Sequence, residues 1–372
     1  MPILEKIIIS DFRNIALQEL DFSPNINCIS GNNGEGKTNL LDAVYYLSMT
    51  KSAFATSDRF NFRHGTTEFA LSGSYRMEND SRSKISMKVS SKGDKKILRD
   101  DKSYQRISSH IGLIPIVMVS PSDISLVSES GEERRRFINS VLSQMDSAYL
   151  GNLQQYNRLL AQRNKLLKEP EPDRNLLEVI DMRMAALSVP IYQRRSSFVS
   201  ELEPVIKEYY RAVSSGSEQV AVNYESDLDD IPASELAGRT MEADLACRFT
   251  TKGIHRDDLN FSMNGWPIRK YGSQGQQKSF LVALKFAQYE IMKKAYGFPP
   301  ILLLDDIFDK LDMERISNLL KMVGGKDFGQ IFITDSNKVR LSGIVDSITS
   351  DRTYYDTREG TFTKVGKELT TE

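Results

Sequence analysis

The chain has 372 residues, enough for two or three domains and a sizeable core, and 40% of them are hydrophobic and 27% charged. These are ordinary values for a soluble globular protein, and they exclude the disordered, collagen-like and disulfide-scaffold classes. Forty-nine basic residues against 50 acidic give a net charge of -1, so any nucleic-acid site has to be a local patch.

The longest apolar stretch without a formal charge, residues 111–119, is about half the ~18 residues that a membrane span needs. The opening residues carry Glu5 and Lys6 inside their apolar run and no small-residue cleavage site, so the expected location is cytoplasmic, without a membrane segment. Cys28 and Cys247 stand far apart without metal-ligand spacing, which reads as two free thiols.

In chain order, the isoleucine-rich residues 4–9 run to a break at Asp11-Phe-Arg-Asn14, and extended chain ends in a short buried strand over 26–30. Between 68 and 98 the pattern becomes short alternating runs, 69–75 and 84–90, separated by polar turns. That predicts antiparallel strands. A further apolar strand is predicted over 114–120. Beyond Glu132 the apolar residues Phe137, Val141, Leu142, Leu150, Leu153, Tyr156, Leu159 and Leu160 recur at three- and four-residue spacing, an amphipathic helix pattern. A break at Pro170-Glu-Pro172 starts a second helical run over 176–212, which Pro190 and Pro204 are expected to kink or divide. Residues 125–215 thus read as a helical arm, 225–234 as an acidic, Ser-rich linker, and strand-like chain resumes near Thr250. Return to β structure after a helical insertion predicts one domain interrupted by another.

Directly after the strand over 26–30, Gly31-Asn32-Asn33-Gly34-Glu35-Gly36-Lys37-Thr38 matches G-x-x-x-x-G-K-[ST] and opens the helical pattern Leu40, Leu41, Val44, Leu47. Glycines let backbone N–H groups curl round phosphate oxygens, Lys37 reaches the β- and γ-phosphates, and the Thr38 hydroxyl holds Mg²⁺. Far downstream, the apolar run 301–304 ends in Asp305-Asp306. There Asp305 would help hold Mg²⁺, and Asp306 would orient or deprotonate an attacking water. Between the two lies Gly272-Ser273-Gln274-Gly275-Gln276-Gln277-Lys278, followed by an apolar helical face. This is a helix start suited either to an anion or simply to a polar cap.

The order of these motifs, closed by Phe308-Asp309-Lys310-Leu311-Asp312, resembles the ABC-type ATPase heads of the chromosome-maintenance and recombination class. More narrowly it is similar to the RecF family of bacterial recombination mediators. The resemblance is carried end to end by Ile9-Ser-Asp-Phe-Arg13-Asn14, the phosphate loop with Asn39, Ser120-Pro-Ser-Asp123, Arg134-Arg135-Arg136-Phe137, the run from Tyr156 to Asn164, Gly253-Ile-His-Arg-Asp-Asp258 and Ser273-Gln-Gly-Gln276. It implies an α/β P-loop ATPase head, a mixed sheet with an antiparallel subdomain, and an inserted helical arm. Its expected parts are a head portion over 1–122, the arm over 123–249, and a second head portion over 250–372. It also implies ATP and Mg²⁺ as cofactors, with Arg13, Asn39 and the phosphate loop at the nucleotide. Ser273, Gly275 and Gln276 would meet the nucleotide of a second subunit, and Asp312 would lie in the loop crossing an ATP-dependent homodimer. The implied role is DNA binding at single-strand gaps, timed by slow hydrolysis as a weak DNA-stimulated ATPase, with RecR and RecO helping to load RecA.

Three positions depart from transporter ATPases: Gly272 replaces the usual leading Leu, Asp306 replaces Glu, and Asp335 falls where a switch His would stand. Arg134, Arg135, Arg136, Arg158, Arg163, Lys165 and Lys168 make the start of the arm locally basic. Such runs are usually solvated helix faces, but together they are the candidates for DNA phosphate contact. No interleaved aromatic platform is evident, which favours duplex over single-strand contact. His255 reads first as part of a structural turn, with Arg256 expected to pair with Asp257 or Asp258. Two rival classes are a transporter's nucleotide-binding subunit, against which the arm motifs argue, and a nucleotide-independent adaptor, against which Lys37, Thr38, Asp305 and Ser273 argue.

Overall fold

The computed structural model describes residues 1–129, 131–214, 218–306, 328–346 and 349–365. Its strands in chain order are β1 (Ile3–Phe12), β2 (Ile15–Asp21), β3 (Ile26–Ser30), β4 (Glu68–Arg76), β5 (Arg82–Ser90), β6 (Lys95–Arg99), β7 (Lys102–Ser103), β8 (Ile116–Val119), β9 (Val220–Glu225), β10 (Asp258–Met263), β11 (Trp266–Pro267), β12 (Ile301–Leu304), β13 (Ile331–Asp335), β14 (Arg352–Arg358) and β15 (Thr361–Val365). The chain divides into two compact units. One comprises Met1–Asp123, Ala212–Ser214 and Gln288–Glu372, the other Ile124–Arg211 and Ser215–Ala287. The sequence-based division breaks at 249, whereas this one returns to the first unit at Gln288, inside the helix Gln274–Tyr296.

The first unit holds two six-stranded sheets. One is antiparallel, ordered β2-β1-β4-β5-β6-β7, and the other is ordered β15-β14-β3-β13-β12-β8. In the antiparallel sheet, β4 and β5 alternate buried with less buried residues, as strands with one face on the core must. In the second sheet β3, β8, β12 and β13 are buried at every position. They run parallel to one another, with β14 parallel to β3. Continuous apolar strands of this kind fit a sheet covered on both faces. The helix Lys37–Met49 lies between the sheets: Leu40, Leu41, Val44, Tyr46 and Leu47 join one core with Ile7, Phe69 and Met87 and with Ile116, Leu303 and Phe332. Parallel register aligns the ends of β3 and β13, pairing Ser30 with Asp335. The phosphate loop, Asp305-Asp306 and Asp335-Ser336 therefore leave the sheet at one edge.

The second unit combines helices Gly131–Met145, Ser147–Leu166, Arg174–Ser214 (to Arg211) and Ala233–Cys247 with the antiparallel sheet β11-β10-β9. Asp146 caps one helix by accepting from the N–H groups of Ala148 and Tyr149, and Asp173 caps the long one through Asn175 and Leu176. Of the two expected effects of the prolines, kinking or dividing the run, division does not occur, since Arg174–Ser214 is one 41-residue helix. Pro190 and Pro204 both sit on its exposed side, as do Ala186 and Ser200 four residues before them. The carbonyls that lose a partner can thus be hydrated. The opposite face buries Ile191, Phe198, Leu202, Ile206 and Tyr210, at roughly 1.5–3 kcal/mol per side chain, against about 3 kcal/mol for each proline.

Candidate nucleotide-binding site

β3 ends at Ser30, and six residues later the helix Lys37–Met49 begins behind Gly36, which caps it at φ 110°. Two glycines are required here by close approach. A Cβ on Gly31 would lie 2.6 Å from the Thr357 carbonyl, and one on Gly36 would lie 2.8 Å from the Asn14 side-chain oxygen. Lys37, 4% exposed, folds back over the loop and donates to the carbonyls of Gly31 at 2.8 Å and Asn32 at 3.2 Å. Its Nζ lies 3.8 Å from the Asp306 carboxylate. Glu35 braces the loop by accepting from the Asn32 N–H at 2.9 Å, while Asn33 and Gly34 are exposed at its tip.

The Thr38 hydroxyl lies 3.0 and 2.9 Å from the two Asp305 carboxylate oxygens, and Thr334 donates to the same group at 2.8 Å. Asp305 is 3% exposed. Burial pushes its carboxyl above the usual range, opposed by the hydrogen bonds from Thr334 and Thr38. Next to it Asp306 takes a left-handed backbone at φ 43° and donates its N–H to the Thr334 hydroxyl. A non-glycine residue there is uncommon, and Asp tolerates it better than most. Asp335 is buried and accepts from the Asn337 N–H at 2.7 Å. A cleft of about 550 Å³ opens beside the loop, lined by Gly31, Asn32, Glu35, Lys338, Arg358 and Glu359.

Arg13 reaches the same neighbourhood from the turn between β1 and β2. Its guanidinium lies 2.7 Å from Asp42, 3.0 Å from the Ser52 hydroxyl and 3.5 Å from the Asn39 side-chain oxygen. Asn14 accepts from Asn39 at 2.7 Å. Sequence reasoning missed Asp42 and Thr334, which carry no motif and reach the loop only through the fold, and it named Asn14 only as the end of the Ile9–Asn14 motif, without a role at the loop.

In the second unit, Ser273 and Gln276 cap the helix Gln274–Tyr296 reciprocally. The Ser273 hydroxyl accepts from the Gln276 N–H at 3.2 Å, and the Gln276 side chain accepts from the Ser273 N–H at 2.8 Å. Ser273 and Gly275 are exposed. Gly272 has a local reason to lack a side chain, since a Cβ would lie 2.8 Å from the Ile268 carbonyl. Asp312 and the rest of 308–312 lie outside the described residues.

Residues 3–350 match the family described as RecF/RecN/SMC N terminal domain. A DNA replication and repair protein RecF from Bacteroides thetaiotaomicron is 41% identical over 367 residues, covering 98% of this chain and 100% of that protein. The chain belongs to the RecF family. The relative of the same name from Flavobacterium johnsoniae is also 41% identical, covering 92% of this chain and 97% of its own. Among solved structures, the recombination mediator protein RecF-ATPrS in the RecFOR pathway superposes with a TM-score of 0.88 at 28% identity, with 98% of each chain covered. An Smc head domain from Pyrococcus furiosus superposes at 0.58 and 16% identity over 98% of this chain and 96% of that one. The fold is thus the α/β ATPase head expected, shared by RecF and Smc heads.

In this RecF-family chain the basic arm residues divide into two groups. Arg163, 1% exposed, is held by Asp181 at 2.5 Å and Asp244 at 2.6 Å. Arg134, 6% exposed, binds both Asp258 oxygens and the carbonyls of Leu126 and Glu129. Both are removed from the accessible basic surface, because their charges are neutralised inside the unit. Arg135 is half-buried and donates to the Asp257 carbonyl, and the exposed Arg136 is paired with Glu132 and Glu133. Arg158, Lys165 and Lys168 are exposed.

The Gly-Ile-His-Arg-Asp-Asp segment anchors this interior. Asp257 pairs with Arg195 at 2.6 Å and Asp258 with Arg134 at 2.7 Å, while Arg256 lies instead over the Phe249 ring at 5.4 Å. The expected pairing of Arg256 fails because buried arginines from other helices already hold both carboxylates. His255 donates from Nε2 to the Thr250 carbonyl and accepts at Nδ1 from the Tyr156 hydroxyl. Burial pushes its pKa down to about 4, against the ordinary 6.5; Arg256 and Arg135 reinforce the shift, and the Thr250 hydrogen bond and Asp244 oppose it. A depressed histidine stabilises the fold fully above pH 6.5 and loses that contribution as pH falls toward 4. The expected loss is about 3 kcal/mol at ~1.4 kcal/mol per unit. Urea midpoints at pH 7.5 and 5 should show a smaller difference in His255→Asn than in wild type; equal differences would refute the assignment.

Proposed function

We propose that this chain is an ATP- and Mg²⁺-dependent DNA-binding switch of replication and recombinational repair, acting in the cytoplasm at single-strand gaps. The observation that carries the reading is the convergence of Lys37, Thr38, Asp305 and Asp306, from positions about 270 residues apart in sequence, around one loop whose glycines leave room for phosphate. It is supported by a RecF relative solved with ATP.

Oxygen donors suit Mg²⁺. The Thr38 hydroxyl and the Asp305 carboxylate already lie within 3.0 Å of one another, and a divalent ion would hold ionised a carboxyl that burial disfavours. When bound, the ion would neutralise charge on the β- and γ-phosphates. Lys37 would turn from the loop carbonyls to the phosphates, Arg13 and Asn39 would border the nucleotide, and Asp306 would orient or deprotonate the attacking water. Its short side chain suits slow turnover, a timer of DNA residence.

Ser273, Gly275 and Gln276 would meet the nucleotide of a second copy, with Asp312 at the same dimer boundary. The first unit serves as head and the second as arm, with Arg135, Arg136, Arg158 and Lys165 as candidates for DNA phosphates. RecR and RecO are the partners this reading assigns, with RecA loading as the outcome.

Light scattering at one protein concentration, with and without ATP·Mg²⁺, tests the switch. Wild type is expected to pass from monomer to dimer, and Ser273→Arg to remain monomeric. The lost cap costs only about 1 kcal/mol, so the variant should stay folded. A dimer formed equally by Ser273→Arg would overturn the trans contact.

A further inference from the structure

The hairpin that leads into Gly272-Ser273 carries the chain's one tryptophan. β10 and β11 pair Met263 with Trp266, leaving Asn264 and Gly265 as a two-residue turn with φ of 50° and 81°. Positive φ at both positions marks the tight hairpin turn for which Asn-Gly is the preferred pair. Pro267 then fixes the entry to the single helical turn Ile268–Tyr271, which the fully buried Ile268 pins to the unit. The backbone here is held on both sides.

What this rigid tip presents is unusual. Trp266 is 61% and Tyr271 65% exposed, with ring centroids 5.3 Å apart and planes at 58°. Arg269 and Lys270, between them in sequence, are exposed and have no carboxylate partner among the described residues. On the arm, by contrast, Arg136 is offset by two glutamates. Two large aromatic faces left in water forgo burial energy that the core gains elsewhere. Beside uncompensated cations they have the composition of a surface that stacks bases and tracks a phosphate backbone.

We propose that Trp266 and Tyr271, with Arg269 and Lys270, form a stacking platform for single-stranded DNA. An unpaired base lies on the aromatic faces, and the two cations meet the adjoining phosphates. Paired bases in a duplex keep their faces inside the stack, so the platform selects unpaired strand. This rests on the DNA-binding reading above and deepens it by naming the residues that meet the unpaired strand. Because Tyr271 is followed directly by Gly272 and Ser273, an occupied platform sits on the same turn that sets the start of the Ser-Gln-Gly-Gln helix.

Trp266 is its own reporter. Titrating the full-length wild-type chain with an oligo-dT strand, without nucleotide, is expected to quench its fluorescence, and a blunt duplex is not. In anisotropy with labelled oligo-dT, Trp266→Ala and Tyr271→Ala should each weaken binding by about 5- to 100-fold, and Trp266→Phe by much less. Duplex affinity should stay within about twofold. Arg269→Ala with Lys270→Ala should lower the salt dependence on oligo-dT by about 1.4 in log–log slope, roughly 0.7 for each lost phosphate contact. Oligo-dT bound without quenching, or equal losses on duplex and single strand, would overturn the platform while leaving the DNA-binding reading standing. Quenching by ATP·Mg²⁺ alone would assign the rings to the adenine of a second copy's nucleotide. Wild type binding neither DNA would end both this inference and the DNA-binding reading.

Discussion

Lys37→Met should lose nucleotide binding by more than 100-fold in equilibrium dialysis and abolish ATP-dependent DNA binding in anisotropy. The side chain is 4% exposed and donates to two loop carbonyls, so its ammonium already sits inside the loop that would surround the phosphates. Hydrogen bonds made by a charged donor are worth about 1.5–3 kcal/mol each, and two of them to phosphate account for a loss of this order. Methionine keeps the stem and removes the charge, so the apolar packing of Leu40, Leu41 and Val44 behind the loop is untouched. A folded Lys37→Met protein that binds ATP as wild type does would show that Lys37 does not meet the phosphates, whereas a wild type that binds no ATP would favour the adaptor class. The same variant separates two modes of DNA contact: nucleotide-dependent binding should disappear, while any quenching of Trp266 by oligo-dT without nucleotide should persist.

How far the sequence discloses the molecule depends on whether a feature is local. The phosphate loop is legible because its glycines, Lys37 and Thr38 are contiguous and lie between a buried strand and an apolar helix face. β4 and β5 are legible because one face is solvated and the period of two survives. The helix Ala233–Cys247 went unread because its buried positions include Thr240 and Asp244, polar residues that erase the apolar period. They are buried at no net cost in unmet hydrogen bonds, since Asp244 accepts from Arg163, Thr240 and Thr251. That same pairing misled the reading of Arg163 as an exposed cation. Charge in a sequence looks solvated until its partner is known; Arg163 is held by Asp181 and Asp244, 18 and 81 residues away, and Arg195 by Asp257, 62 residues away. Trp266 and Tyr271 were overlooked for the opposite reason. An isolated aromatic in sequence is ordinarily assigned to a core, and only the Asn-Gly turn and the buried Ile268 show that these two face outward.

Asp257→Ala should destabilise the second unit by about 3–5 kcal/mol, the usual consequence of stripping one partner from a buried ion pair. Arg195 and Asp257 are each about 2% exposed at the side chain and lie 2.6 Å apart. Asp257 also accepts from the hydroxyls of Ser226 and Tyr224, and Arg195 donates to the Ile254 carbonyl, the Tyr149 hydroxyl and the Asn139 side-chain oxygen. One carboxylate thus ties the long helix to β9 and to the segment around His255, and the neutral acceptors left after its removal cannot balance a guanidinium out of water. At about 2–4 °C per kcal/mol for a body of this size, the unit's calorimetric transition should fall by roughly 10 °C. Replacing both partners by apolar residues, Arg195→Met with Asp257→Leu, should recover much of the loss, because the desolvation cost of the pair disappears along with its attraction. A fall smaller than about 1 kcal/mol in the single variant would place the pair among solvent-screened surface contacts. A double variant no better than the single would instead mean that the hydrogen bonds of Ser226 and Tyr224, and not the opposite charges, hold this part of the unit together.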